Sequence, residues 1–136
     1  FAASIDTGVN AQLNCRANQD DTQLYANFNF AVPAGATVTG VEARLDGWVD
    51  STAGDPRWCV QFSWNNGASW SEFNIAPFTA TSENTYLLGG PGRLWGVNWQ
   101  PAHFDNSAFR MRVILDAAAT DRDFFLDWVA VRVHYR

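Results

Sequence analysis

At 136 residues, with 47% hydrophobic and 15% aromatic side chains, the chain is long enough to bury a core unaided, and disorder is excluded. A net charge of −5 excludes the basic face that phosphate neutralisation needs, and with it a nucleic-acid partner. All nine basic residues are Arg; either they serve planar pairing and stacking rather than solubility, or they reflect a GC-rich genome.

The chain begins at Phe1, which reads as a processed product or a segment of something longer. No apolar run approaches the ~18 residues of a membrane span, and no signal peptide is seen. In chain order, Val9, Ala11 and Leu13 alternate with polar residues and predict a short first strand. Leu24, Ala26, Phe28, Phe30 and Val32 predict one apolar face of a second, which Pro33-Ala34-Gly35 breaks as a turn. A third runs over 38–49, with Val41, Ala43, Leu45 and Val49 inward and Glu42, Arg44 and Asp46 outward. A loop over 51–56 precedes a strand with Val60, Phe62 and Trp64 inward. A weak strand falls near 85–88, and 89–107 is a long connection rich in Gly and Pro. Phe109, Met111, Val113 and Leu115 mark the next strand. The last covers 124–135, with Val129, Val131, Val133 and Tyr135 on one face and Trp128, Ala130, Arg132 and His134 on the other. Asp127 falls in phase with Val129 and is expected inward, paired with Arg110 or Arg112.

No segment carries a 3.6-residue apolar period. Eight or so short strands separated by turns spell an all-β fold, a two-sheet antiparallel β-sandwich of the jelly-roll type. No linker splits the chain, so 1–136 reads as one domain with residues 1–13 as an N-terminal arm.

Asn65-Asn66-Gly67 between two alternating runs is a strong hairpin signal. Within it, Ser63-x-Asn65-x-Gly67-x-Ser69-Trp70 resembles the Asp-box hairpin, with Asn where that motif usually has Asp. The resemblance implies a structural turn that buries its Trp and carries no catalysis. More widely, VPAGATVTGVEARLDGWVD, CVQFSWNNGASW, FRMRV and RDFFLDWVAVRVHY resemble a jelly-roll module of secreted bacterial and archaeal surface proteins. That likeness spans about Tyr25 to Tyr135 and implies an adhesive or structural role without defined catalytic residues.

Cys15 and Cys59 are too few for a zinc site. On the view that the protein is secreted, they are expected to pair, which the chain-entropy model values at roughly 4 kcal/mol; the alternative is two half-buried thiols. There is no nucleophile elbow, zinc-protease motif or phosphate loop. Glu42 and Glu72 are the nearest thing to a glycosidase pair, but both fall at outward, solvated positions. The protein is therefore expected not to be an enzyme and to need no cofactor.

Two candidate ligand sites remain. Trp95 and Trp99 in the long loop, with Trp48 and then Trp58 on strands, offer apolar faces that suit sugar rings; in the opposing view the loop Trp residues fold back over the sandwich. Asp116, Asp121 and Asp123 are spaced as a turn that a calcium ion would accept, although Asp in turns usually bonds its own backbone.

The leading expectation is an extracellular structural or adhesive module, self-assembling into a fibre through β-strand addition at sheet edges. The arm over 1–13 would lie along a neighbour's edge, or form an ordinary first strand of its own sheet. The alternative is a carbohydrate-binding module that holds polysaccharide through its exposed Trp residues.

Overall fold

The computed structural model describes residues 3–5, 14–17 and 20–136. The strands are β1 (Ala3–Ile5), β2 (Thr22–Tyr25), β3 (Val38–Val49), β4 (Arg57–Ser63), β5 (Asn74–Pro77), β6 (Asn84–Gly89), β7 (Arg110–Asp116) and β8 (Phe124–Tyr135), with one 3-10 turn at Pro101–Phe104. The first strand expected over Val9 to Leu13 lies outside the described residues. One sheet has the order β1-β8-β3-β6 and the other β2-β7-β4-β5. All pairings are antiparallel. This order is that of one long hairpin (β1 with β8, β2 with β7, β3 with β6, β4 with β5) rolled up so that β8 meets β3 and β7 meets β4. The fold is a jelly roll.

The core lies where the alternation puts it. Val41, Ala43, Leu45 and Val49 of β3 meet Trp58, Val60 and Phe62 of β4 and Met111, Val113 and Leu115 of β7, all buried. Each of the larger side chains contributes about 1.5–3 kcal/mol by leaving water. Phe62, Trp99, Phe104 and Phe109 form one aromatic cluster, joined by Phe28 and Phe30.

Besides a register shift between Val38 and Gly40, the alternation slips in two places. Asp46 is opposite Trp128, but the next residue, Gly47, is opposite Leu126. Asp127 is thus the extra residue of a β-bulge. Leu126 points in on one side and Val129, Val131 and Val133 pack against the core on the other, so Asp127 is exposed rather than inward. Arg112 binds Gln61 instead (Nε to Oε1, 2.7 Å). The second slip follows β2. Leu24 and Ala26 are exposed, whereas Tyr25, Phe28, Phe30 and Val32 pack on the core. Asn27 and Asn29 take the left-handed conformation (φ 59° and 57°), which Asn tolerates better than most residues, and they absorb the change of phase.

The outer face of the β2-β7-β4-β5 sheet is covered over its central strand, where every residue of β4 from Trp58 to Ser63 is buried. Cys59 is opposite Ile114; the Cys15–Cys59 disulfide holds Cys15 and Ala17 over that pair as a small second cluster. Beside it, Gln61 Nε2 donates to the Ser71 carbonyl at 2.7 Å, and the Arg112 guanidinium lies 4.1 Å from the Trp70 ring centre.

Candidate functional site

The residues singled out for recognition are mostly buried. Trp95 is 0% exposed and Trp99 5%. The Trp95 indole N–H donates to the Val41 carbonyl (2.7 Å) and that of Trp99 to the Leu94 carbonyl (2.8 Å), so both ring donors are satisfied inside. Their loop folds back over the sandwich and presents neither face to a sugar. Trp58 is buried between Phe78 and Phe124. Trp48 does lie on the outer side of β3, but its ring is stacked on Phe125 with centroids 5.0 Å apart.

The three aspartates expected to share calcium are not brought together. Asp116 is fully buried; its Oδ2 accepts from Arg57 Nε at 2.6 Å, and its Oδ1 from the backbone N–H groups of Asn14 and Cys15 at 3.2 Å each. It is a tie between β7, β4 and the disulfide segment. Asp121 is at the surface, 3.1 Å from Arg122, whose hydrogen bond lowers its carboxyl below the ordinary range. The Asp123 backbone N–H donates to Asp50 Oδ1. Among the described residues, the group with three ligand atoms in reach of one ion is Cys15, Cys59 and Asp116, and its two sulfurs are bonded to each other.

The hairpin motif is a polar turn, longer than a two-residue loop, since β4 and β5 pair no nearer to it than Val60 with Asn74. Ser63 Oγ accepts from the Gly67 backbone N–H (2.8 Å), and Asn65 Oδ1 accepts from that of Ser69 (2.8 Å). Asn65 thus makes the bond its position requires without a charge. Trp70 is half-buried, its ring covered by Arg112.

Two other surfaces stand out. The first is the outer face of β8, β3 and β6, where Trp128, Arg132, Glu42, Arg44, Thr85 and Leu87 line an open depression of about 380 Å³. Trp128 is 57% exposed and Leu87 62%. Asp46 beneath Trp128 is fixed: Arg44 donates from Nε and Nη2 to its two oxygens (3.0 and 2.9 Å), and Thr85 Oγ1 donates to Oδ1 (2.8 Å). The Arg44 hydrogen bond holds the Asp46 carboxyl below its ordinary range. The sequence had put Trp128 on the outward face, but an alternating Trp in a strand gives no signal that distinguishes it from Trp58 or Trp48.

The second surface is the outer edge of β8. β3 pairs along one side from Val38 to Val49, whereas β1 pairs on the other only at Phe124, Phe125 and Leu126. Among the described residues, the edge from Trp128 to Tyr135 has no strand beside it. Val129, Val131 and Val133 along it stay half-buried, although the β3 residues facing them, Leu45, Ala43 and Val41, are fully buried. Where β1 ends, Tyr25, Leu126 and Val129 line a slot of about 170 Å³, and burial raises the Tyr25 hydroxyl pKa.

No protein-family model matches the chain, and no curated protein matches it. Among solved structures, it resembles one described as "Family 16 Carbohydrate Binding Module-2", with 14% identity and a TM-score of 0.48 over 95% of this chain and 74% of that one. A likeness at that level carries no argument about this chain. No described helix is long and apolar enough to cross a membrane.

Proposed function

We propose that this chain is a non-catalytic, extracellular assembly module, one domain per subunit, that joins its neighbours by β-strand addition into a fibre. The observation that carries the reading is the β8 edge. Among the described residues, the twelve-residue β8 has a three-residue partner on its outer side, and the inward valines beside the gap are only half-covered. An unpaired edge with unfilled apolar positions is a template for another chain. The occupant is the N-terminal segment, residues 1–13, of a second copy. Ala3–Ile5 already pairs antiparallel with β8 in cis, so this segment suits that edge. Its Val9, Ala11 and Leu13 alternate as an added strand needs in order to place apolar groups over Val129, Val131 and Val133.

A segment donated from one copy to the next is a heterologous contact, and such contacts give open filaments when the rotation does not close. The disulfide fits an oxidising compartment. The test uses the chain lacking residues 1–13 and a synthetic peptide of that sequence. The expected result is saturable one-to-one binding with a raised melting temperature, lost when the peptide carries Ala11→Pro, which removes a backbone donor. A truncated chain that ignores the peptide contradicts the reading.

A further inference from the structure

We propose that the outer face of β8, β3 and β6 is a saccharide-binding site, with Trp128 as the stacking surface for a neutral pyranose ring. The register builds the depression. Asp46 lies opposite Trp128 and Thr85, Arg44 opposite Ala130 and Leu87, and Glu42 opposite Arg132 and Gly89. The small residues Ala130 and Gly89 leave a hollow, bounded along β8 by Trp128 and Arg132, whose Cα atoms lie about 13 Å apart at the rise of a strand. The volume of about 380 Å³ falls within the ~300–1,000 Å³ of small-molecule sites.

The chemistry of the rim selects the ligand. Trp128 and Leu87 supply apolar area at 57% and 62% exposure, a cost in water that a stacked sugar ring would relieve. Around them stand two carboxylates, Glu42 and Asp46, and two guanidiniums, Arg44 and Arg132, already within 4 Å of one another as Arg44–Asp46 and Arg132–Glu42. These charges cancel, which disfavours an anionic polymer. The pairs still present free acceptors and donors to vicinal hydroxyls, each of which both donates and accepts. A flat apolar protein surface would strip water from all four charges without pairing them. The groups are held in place before any ligand arrives, since Asp46 is fixed by Arg44 and Thr85; binding therefore orders little that is loose. On the outer face of the opposite sheet, β4 is instead buried throughout from Trp58 to Ser63. The site lies on the face of β8 and not on its backbone edge, so it is independent of strand addition.

The experiment is native electrophoresis of the full chain through gels containing a neutral polymer, mixed-linkage β-glucan or galactomannan, with polygalacturonate as the anionic control. The expected result is retardation by at least one neutral polymer and none by polygalacturonate. Trp128→Ala should weaken it by at least about tenfold, as removal of a central aromatic contact does, and Trp128→Phe should keep part of it. Leu24→Ala, at an exposed position on the other sheet, should leave it unchanged. Circular dichroism establishes that each variant is folded, and because Trp128 is exposed on a strand, Trp128→Phe serves if Trp128→Ala is not. Retardation by neither neutral polymer, retardation by polygalacturonate alone, or retardation equal in Trp128→Ala and the parent overturns the assignment.

Discussion

His103 shows how one side chain sets a local structure and its pH dependence. It closes the 3-10 turn Pro101–Phe104 by accepting the Gln100 backbone N–H on Nδ1 (3.0 Å), which only the unprotonated ring nitrogen does. Burial lowers its pKa below the ordinary 6.5. The unfolded chain therefore takes up a proton at higher pH than the folded one, so this contribution is complete above 6.5 and is lost as pH falls towards the folded value. Melting temperature measured from about pH 8 to pH 5 should fall on the acid side, and less so in His103→Asn, whose amide oxygen accepts at any pH. Trp95 belongs to the same scale. It has a left-handed backbone (φ 58°), unusual for a large side chain, and is held by its bond to Val41. Nothing in its sequence context, Gly92 to Gly96, separates this plug from an exposed platform, because a loop has no period from which to read a face.

At the scale of the element, the bounds of β3 and β8 were legible to the residue, because each is a twelve-residue run of largely alternating apolar and polar residues with β-branched residues at most inward positions. What the alternation hid was its own interruption. The bulge at Asp127 adds one residue, and a single extra residue turns every later side chain to the other face; a phase carried through it puts Asp127 inside. The same account explains Leu24, outside by virtue of the left-handed Asn27 and Asn29. The bulge also accounts for Gly47. A Cβ there would lie 2.2 Å from the Phe125 carbonyl oxygen and 3.0 Å from the Trp58 ring, so β3 approaches β8 more closely than any other residue allows. Gly47→Ala should destabilise the fold by about 2 kcal/mol or more, the cost of forcing packed elements apart, read as a lower urea midpoint at unchanged slope. No loss would mean that the bulge can relax.

For the whole molecule, the jelly roll was readable from strand number and spacing, and the disulfide from the count of two cysteines in a chain read as secreted. Its consequence is mechanical. The Cys15–Cys59 bond closes a separation of 44 residues and pins the segment that follows the N-terminal arm to β4, while Asp116 ties the same segment to β7. Reduction should lower unfolding free energy by up to about 4 kcal/mol on the chain-entropy estimate, measured by denaturation with and without reductant. A load on the arm would thus pass into the centre of the second sheet rather than peel a terminal strand. The surfaces proposed for assembly and binding were less legible, because the edge left open among the described residues follows from how far β1 pairs beside β8, a matter of tertiary pairing.

The central claim is that the β8 edge receives the N-terminal segment of another copy. The most direct measurement is light scattering behind size exclusion on the untagged full chain, with electron microscopy of the excluded fraction and the chain lacking residues 1–13 alongside. The account predicts filaments of regular repeat from the full chain and none from the truncated one. A full chain that stays a 15.1 kDa monomer at every concentration, or filaments that survive the truncation, would contradict it.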